Sequence, residues 1–243
     1  MRLLFIRHGD PDYAADSLTA AGRREAEFLA ERIAPMDIAE YYVSTMGRAI
    51  ETARPTLERA KRTAAECPWL REFLIDIRRP DKGGGFSDVP WDWLPQDWSR
   101  YPLLLDREHW YEHPVFAEAD LKSACDAVIA EFERVLARHG YVRDGLCYRV
   151  ERAGSETLAF FCHFGVTCVL MSRLMNVSPM VLWHGLAMAP ASVTTVYTEE
   201  RRPGIASFRA SAVGDISHLY LHGQEPSFSA RFCEIYGNGD RVD

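Results

Sequence analysis

The chain has 243 residues, of which 47% are hydrophobic and 12% aromatic, and its formal net charge is −7. This composition suffices for one packed α/β core with one insertion, so we expect a single domain over residues 1–243. The negative charge argues against a nucleic-acid partner, because nucleic acids are bound by basic patches. The apolar run at residues 3–6 is too short for an export signal and no long uncharged stretch follows, so we expect a cytoplasmic protein without a membrane span.

The six cysteines show neither CxxC spacing nor the spacing of a zinc site. In a chain without an export signal, such thiols are expected to be reduced and mostly buried. The sequence therefore predicts no metal site, and we expect no cofactor. Any anion that this protein binds must be held by a local cluster of cationic side chains.

The chain before residue 74 alternates short apolar runs with segments of helical periodicity. The apolar runs predict buried strands, and apolar residues three and four positions apart predict helices that pack on those strands. Hydroxyl side chains in front of the helices are expected to cap them. The predicted elements are a strand at residues 3–6, a helix capped by Thr19, a strand at residues 41–43 and a helix capped by Ser44 or Thr45.

Regular periodicity fails between residues 74 and 114. Four of the six tryptophans lie in this part of the chain, namely Trp91, Trp93, Trp98 and Trp110. A triple glycine in the same part lacks the following Lys and Ser or Thr of a phosphate-binding loop. We expect an irregular insertion at about residues 76–114, which either covers a substrate as a cap or is a satellite hydrophobic cluster.

Regular elements return after the insertion, and the spacing of apolar residues again separates helices from strands. A strand of continuous apolar residues ends immediately before His163. The predicted elements are a helix over residues 117–138, two hairpin-like strands at 145–150 and 157–162, a helix from near Gly165 to before Pro179, and late strands at 192–197 and 204–210.

His8 and His163 each follow the end of an apolar strand. If these strands are parallel neighbours, the two imidazoles face each other, because α/β sheets have their crevice at the carboxyl ends of the strands. His8 is the expected nucleophile, with a backbone carbonyl that fixes its tautomer. Arg7 and Arg48 would offer planar forks to the oxygens of a phosphoryl group. The first N–H groups of the helix after His163 are expected to be open to phosphate as further donors.

Five short motifs follow one another within about residues 1–175. They are Arg7-His8-Gly9, Leu18-Thr19 with Gly22, the segment 44–53 with Arg48, Leu70-Arg71-Glu72, and His163-Phe164-Gly165. Together they resemble the histidine phosphatase superfamily, in its phosphoglycerate mutase-like family. The resemblance implies a three-layer α/β/α sandwich with a mostly parallel central sheet, and catalysis through a phosphohistidine without a metal.

Glu72 is the expected proton donor to the leaving oxygen. It follows an apolar pair at the edge of the insertion, where partial burial and a nearby phosphate would raise its pKa. Its carboxylate would then activate the water that hydrolyses phospho-His8. Asp76, Asp88 and Asp92 are weaker candidates for this role, and we interpret them as solvated loop acids.

Departures from the family pattern favour hydrolysis over mutase chemistry. Where mutases of the family usually have Ser and Asn side chains that touch the phosphate, this chain has Pro11 and Ala14. Asp10 and Asp12 would make the mouth of the site acidic, which disfavours a substrate with a carboxylate beside its phosphate. Phe164 replaces a glycine that often follows the second histidine, so the rim should be narrower or more apolar.

We therefore predict a metal-independent phosphomonoesterase of the histidine acid phosphatase type, which acts on a small phosphorylated metabolite. The alternatives are mutase-type phosphoryl transfer, as in phosphoglycerate mutase, and a phosphate-binding protein without turnover. The substrate and the oligomeric state are left open by the sequence. The predicted catalytic residues are His8, Glu72 and His163, the phosphate ligands are Arg7, Arg48, His8 and His163, and the substrate rim is assigned to Asp10, Phe164, Trp91 and Trp93.

Overall fold

The computed structural model describes residues 1–82, 86–87, 89–229 and 232–233, so Asp88 and the triple glycine lie outside the described residues. No helix within these ranges is long and apolar enough to cross a membrane. The strands are β1 (Arg2–Arg7), β2 (Pro11–Asp12), β3 (Ser17–Leu18), β4 (Glu40–Ser44), β5 (Ala65–Cys67), β6 (Ile77–Arg78), β7 (Phe86–Ser87), β8 (Tyr141–Asp144), β9 (Cys147–Val150), β10 (Thr157–Cys162), β11 (Val193–Arg202) and β12 (Ile205–Asp215). The α-helices are α1 (Ala20–Ile33), α2 (Gly47–Ala60), α3 (Pro95–Trp98), α4 (Leu121–Arg138), α5 (Phe164–Met175), α6 (Pro179–Gly185) and α7 (Ser217–Leu221).

Eight strands form one sheet in the order β5-β4-β10-β1-β11-β12-β9-β8. The strands β5, β4, β10 and β1 are parallel to one another. From β11 onwards the sheet continues with antiparallel pairs. The predicted α/β class with a large central sheet is confirmed, and its parallel strands include β1 and β10, which precede the two histidines.

The sheet is covered by helices on both faces, as the continuous apolar sequence of β1 requires. Leu4 and Ile6 face a core formed with α1 and α2, whereas Leu3 and Phe5 face a core formed with α4 and α5. None of these four side chains is more than 2% exposed. The strand that carries the first histidine is therefore held rigidly between two packed layers.

The hairpin predicted for residues 145–150 and 157–162 is not formed. The structure instead pairs β8 with β9 antiparallel, and places β10 between β1 and β4, parallel to both. All six residues of β10 are buried. A strand buried on both faces has no alternation of apolar and polar residues, so its sequence pattern does not indicate its neighbours. The central position of β10 brings the second histidine to the first.

The start of α2 also differs from the prediction. The helix begins at Gly47 after Met46, and neither Ser44 nor Thr45 caps it. The Ser44 hydroxyl instead accepts the Met46 N–H at 3.2 Å, and Asp16 Oδ2 accepts the Gly47 N–H at 2.8 Å. A carboxylate from a distant loop thus satisfies the helix terminus, which leaves the Ser44 hydroxyl available for another role.

Thr19 caps α1 as predicted, since its hydroxyl accepts the Gly22 N–H at 3.1 Å. The helix expected from residue 117 begins at Leu121, because residues Pro114–Phe116 form a separate 3₁₀ turn. The helix after His163 ends at Met175, and the separate helix α6 follows it.

The regular elements in the described part of segment 76–114 are 3₁₀ turns, the four-residue helix α3 and two-residue strands. This irregularity agrees with the absence of periodicity in its sequence. Its four tryptophans are all buried, and they pack towards α6, where Trp91 and Trp110 contact Trp183 at ring distances of 6.3 and 5.6 Å. The aromatic residues of the insertion therefore extend the core on one side of the sheet.

Candidate active site

The two histidines lie side by side at the ends of neighbouring parallel strands. Arg7 at the end of β1 pairs in register with Cys162 at the end of β10, so the next residue of each strand enters the same crevice. The ring centroids of His8 and His163 are 5.1 Å apart, and both side chains are buried. Two imidazoles thus share one pocket at the carboxyl end of the sheet.

His8 is held as a neutral imidazole. Its Nδ1 lies 2.7 Å from the carbonyl oxygen of Gly9, so Nδ1 carries the proton and donates it there, while Nε2 keeps its lone pair. Burial, followed by the positive charge of Arg7, holds the pKa of His8 well below its usual range. A neutral imidazole with a lone pair at Nε2 is the form that can attack phosphorus.

His163 is oriented by Ser44, at the end of the adjacent strand β4. Its Nε2 lies 2.8 Å from Ser44 Oγ, and the described hydrogen bonds give the Ser44 proton no other acceptor, so we assign that proton to the bond with the imidazole. Nδ1 then carries the imidazole proton, and it has no hydrogen-bond partner among the described residues. Burial, followed by the charges of His8 and Arg48, holds the pKa of His163 well below its usual range. His163 is therefore a neutral donor.

Arg7 and Arg48 bring two buried guanidinium groups to the histidines, since each lowers the pKa of both imidazoles. Arg7 donates to the carbonyl oxygens of Met188 at 2.5 Å and Ser229 at 3.0 Å. Arg48 forms an ion pair with Asp16 at 2.6 Å. These partners fix the direction of both guanidinium groups, so little reorganisation is needed when an anion binds between them.

Thr52 connects the residue after His8 to the helix that carries Arg48. Its hydroxyl accepts the Gly9 N–H at 2.9 Å and donates to the Arg48 carbonyl oxygen at 2.7 Å. Gly9 itself packs tightly, since a Cβ there would lie 2.7 Å from the carbonyl oxygen of Gly22. Any larger residue would displace the carbonyl that fixes the tautomer of His8.

Glu72 occupies the amino-terminal end of α5. Its Oε1 accepts the N–H groups of Gly165 at 2.9 Å, Val166 at 3.3 Å and Phe73 at 2.8 Å. The expectation that the first N–H groups of this helix are open to phosphate is thus wrong for Gly165 and Val166, because the half-buried Glu72 carboxylate already accepts from them. Burial raises the pKa of Glu72, although these N–H groups and Arg7 oppose the shift. The raised pKa is the direction that a proton donor needs.

Asp10 does not present an open charge at the mouth of the site. Its Oδ2 accepts from the Thr19 hydroxyl at 2.6 Å and its Oδ1 from the Ser229 hydroxyl at 2.9 Å, while its N–H donates to Glu25 Oε2 at 2.7 Å. Glu25 is wholly buried on the apolar face of α1. An acidic residue among the apolar positions of α1 is the sequence signal that could have indicated this hydrogen-bond network. Through Ser227 and Ser229 the network joins the pocket to the carboxy-terminal part of the chain.

The three aromatic residues assigned to the substrate rim lie at different depths. Phe164 and Trp93 are each 1% exposed, whereas Trp91 is 8% exposed. A Cβ at Gly165 would lie 2.4 Å from the Trp91 ring and 2.7 Å from Glu72 Oε1. Trp91 therefore borders the expected proton donor, and Gly165 provides the space for this close approach.

The weaker acid candidates lie in other surroundings. Asp92 is paired with Arg79 at 2.6 Å, Asp76 is exposed, and Asp88 lies outside the described residues. Within the described ranges, no group of three or more His, Cys, Asp or Glu side chains is arranged to hold a metal ion. The pocket of this structure is thus formed by two imidazoles, two guanidinium groups and the carboxyl group of Glu72.

Part of the chain is similar in sequence to known phosphatases. The model of the histidine phosphatase superfamily (branch 1) matches residues 3–77. A probable phosphatase of Schizosaccharomyces pombe is 36% identical over an alignment of 67 residues, and the match covers 24% of this chain. This chain thus covers only 32% of the length of that relative.

Solved structures share the fold over most of the chain. A mycobacterial glucosyl-3-phosphoglycerate phosphatase, solved with VO3, has a TM-score of 0.56 at 19% identity and covers 88% of this chain and 98% of its own. A phosphoserine phosphatase of Entamoeba histolytica, solved with phosphoserine, has a TM-score of 0.57 at 15% identity and covers 90% of this chain and 98% of its own. At these identities the likeness concerns the fold.

The matched segment 3–77 contains Arg7, His8, Arg48 and Glu72. His163 comes from β10, beyond that segment, and the sheet brings it to the same pocket. The part of the chain that matches the histidine phosphatase superfamily is therefore residues 3–77, and over most of the chain the similarity to solved phosphatases is one of fold.

Proposed function

We propose that this protein is a phosphomonoesterase that hydrolyses its substrate through a phosphohistidine formed on His8, without a metal. The observation that carries the proposal is the hydrogen bond from His8 Nδ1 to the Gly9 carbonyl oxygen, at 2.7 Å. It keeps the Nε2 lone pair available in a buried pocket that also contains Arg7 and Arg48. Binding alone would not require a nucleophile that is kept neutral in this way.

In the first step, Nε2 of His8 attacks phosphorus, and the N–P bond forms as the bond from phosphorus to the leaving oxygen breaks. Arg7, Arg48 and the Nδ1–H of His163 stabilise the charge on the remaining phosphoryl oxygens. Protonated Glu72 transfers its proton to the leaving oxygen, so the alcohol departs as a neutral molecule. Because Glu72 Oε1 is engaged by the start of α5, Oε2 is the oxygen that carries this proton.

In the second step, the Glu72 carboxylate takes a proton from a water molecule as the water oxygen attacks the phosphorus of phospho-His8. The N–P bond breaks, its electron pair returns to Nε2 of His8, and inorganic phosphate leaves. Glu72 is again protonated and His8 is again neutral, so the cycle closes with one ester bond hydrolysed.

The names of similar proteins support hydrolysis rather than mutase-type transfer. The relative in S. pombe is named a probable phosphatase, and the two solved structures described above are phosphatases. The positions of Pro11 and Ala14, where mutases of the family usually have side chains that contact phosphate, point in the same direction.

Trapping the intermediate tests the proposal. The protein is mixed with a ³²P-labelled phosphomonoester in a chelating buffer and quenched in alkaline detergent, because a phosphohistidine survives in base and is lost in acid. We expect label on His8, and none in His8→Asn. His139→Gln, which changes a buried imidazole outside the pocket, should label normally. Label on another residue, full turnover in His8→Asn, or turnover that returns only with a divalent ion would contradict the mechanism.

A further inference from the structure

A cavity of about 330 Å³ lies between the insertion and the end of α6. Three separate parts of the chain line it, namely residues 91–95, 183–187 and 232–233. Its size lies within the range of small-molecule sites in proteins, at the lower end. The steps of the proposed hydrolysis do not involve the residues that line this cavity, so the role of the cavity requires a separate explanation.

Each wall of the cavity is connected to the catalytic groups. The Trp91 ring borders Glu72 at the start of α5, as described above. The Trp183 indole N–H donates to the Gly165 carbonyl oxygen at 3.1 Å. The Phe232 ring contacts Phe164, the residue after His163, at a centroid distance of 5.7 Å.

The remaining wall, residues 184–187, leads directly to Met188, whose carbonyl oxygen accepts from Arg7 at 2.5 Å. The residues that line the cavity, or that directly follow its lining, therefore contact the segments that carry Glu72, His163 and Arg7. Because Trp91 borders Glu72, an ester whose leaving oxygen lies at Glu72 would have its alcohol part next to Trp91.

We infer that the alcohol part of the substrate binds in this cavity, and that the substrate is a monophosphate ester of an uncharged, largely apolar alcohol that contains a ring. The inference rests on the proposed function. Its basis is the lining of the cavity, in which the side chains of Trp91, Trp183, Leu186 and Phe232 offer flat or branched apolar surfaces.

The polar groups of the cavity support this class of alcohol. The Trp183 N–H and His184 Nδ1 are already hydrogen-bonded to backbone carbonyl oxygens. The one acidic side chain among the described lining residues, Asp92, is paired with Arg79, and no lysine or arginine lines the cavity in the described ranges. A second anionic group would therefore find no cation among the described lining residues. The Trp93 indole N–H and His184 Nε2 have no partner in the described part of the chain and offer one donor and one acceptor, too few for the several hydroxyls of a sugar.

The test compares two alkyl esters whose leaving alcohols both need a proton. Cyclohexylmethyl phosphate has an apolar ring, and glycerol 1-phosphate has a polar chain. We expect kcat/KM to be about 10-fold to 100-fold higher for the ring ester, since a few methylenes in an apolar pocket discriminate by this much. Leu186→Gln should reduce that ratio about tenfold, because it puts an amide into the wall without touching a catalytic group.

A matched control is Trp110→Phe, which changes a buried tryptophan of the same insertion that does not line the cavity. Its substrate ratio should equal that of the parent. Turnover of both esters at equal kcat/KM, with label on His8, would overturn the inference and leave the proposed function intact. Turnover of neither ester, without label on His8, would overturn both. An unchanged ratio in folded Leu186→Gln would also overturn the assignment of the cavity.

Inhibition of the unchanged protein provides a second measurement that does not depend on the folding of a variant. Cyclohexylmethylphosphonate and methylphosphonate carry the same anionic group, and their carbon–phosphorus bonds are not hydrolysed by this mechanism. The inference predicts an inhibition constant at least about tenfold lower for the ring compound. Equal inhibition constants would exclude an apolar site for the alcohol.

Discussion

The phosphate pocket and the aromatic cavity touch each other but are built in different ways. The pocket consists of polar side chains at the ends of β1, β4 and β10 and at the starts of two helices, and backbone or side-chain partners orient them. The cavity consists of apolar side chains from three segments outside the sheet. The chemistry is thus fixed by the most rigid part of the fold, whereas the choice of substrate depends on loops that can change without altering it.

The largest loss of activity is expected for a substitution of Glu72, which belongs to the phosphate pocket and not to the lining of the cavity. In Glu72→Gln the amide oxygen still accepts from the start of α5, but the side chain has no proton to give at the leaving oxygen. We expect kcat/KM for alkyl phosphates to fall by about 10²–10⁴-fold. The loss for p-nitrophenyl phosphate should be much smaller, because its leaving group hardly needs a proton.

Glu72→Ala provides the contrast, because it removes both the proton and the cap of α5. A thermal unfolding scan should show a lower Tm for this variant than for Glu72→Gln. If Glu72→Gln lost equal activity on both substrates, Glu72 would not be the proton donor.

Arg48→Lys tests whether the pocket needs the fork of a guanidinium group. The ammonium keeps the charge but cannot present two parallel donors to a phosphoryl group, so we expect kcat/KM to fall by about 10²–10³-fold for every substrate. The ratio of ring ester to glycerol 1-phosphate should stay at the parental value. A change in that ratio would show that pocket and cavity are not separable.

The pH dependence should follow the opposite shifts at His8 and Glu72. The pKa of His8 lies below its ordinary value of 6.5, so the nucleophile stays neutral under mildly acidic conditions. The pKa of Glu72 lies above its ordinary value of 4.5, and activity should fall about tenfold per pH unit once the pH exceeds it. A profile of kcat/KM against pH for an alkyl ester should show this alkaline limb, and Glu72→Gln should lack it.

Ser44→Ala should have a smaller effect, because it acts through His163. Loss of the hydrogen bond to Nε2 is expected to cost about 3-fold to 12-fold in kcat/KM. The ¹⁵N chemical shifts of His163 should show a shift from the Nδ1–H tautomer towards a mixture. Thr45→Ala is the matched control, since the Thr45 hydroxyl accepts from Arg71 and does not contact the histidine. Unchanged ¹⁵N shifts in Ser44→Ala would refute the positioning role.

The smallest effect is expected for Trp93→Phe. The Trp93 side chain is 1% exposed and its indole N–H has no partner among the described residues, so removing that donor leaves no acceptor unsatisfied. We expect less than about a twofold change in the substrate ratio, measured with the two alkyl esters. A large change would show that the indole N–H of Trp93, which also lines the cavity, takes part in the choice of substrate.

The sequence allowed the pairing of His8 with His163 to be predicted, because each ends an apolar strand and the physics of α/β sheets places such ends together. The contact of Ser44 with His163 could not be predicted, since it depends on β4 lying beside β10, and a uniformly buried strand does not reveal its neighbours. The capping of α5 by Glu72 could not be predicted either, because Glu72 and Gly165 are far apart in the chain and no local sequence pattern connects them. Trp91 and Trp93 are the same residue type two positions apart in an aperiodic segment. The sequence therefore could not predict that Trp91 is the one that borders Glu72.

The central place of β1 has a consequence for the biosynthesis of the protein. Among the strands of the sheet, β1 leaves the ribosome first, and it is hydrogen-bonded on one side to β10 and on the other to β11, which begin at Thr157 and Val193. The carbonyl oxygen of Ser229, which accepts from Arg7, is made later still. Such distant pairing slows folding. A nascent chain thus carries His8 long before the residues that complete the pocket around it have emerged.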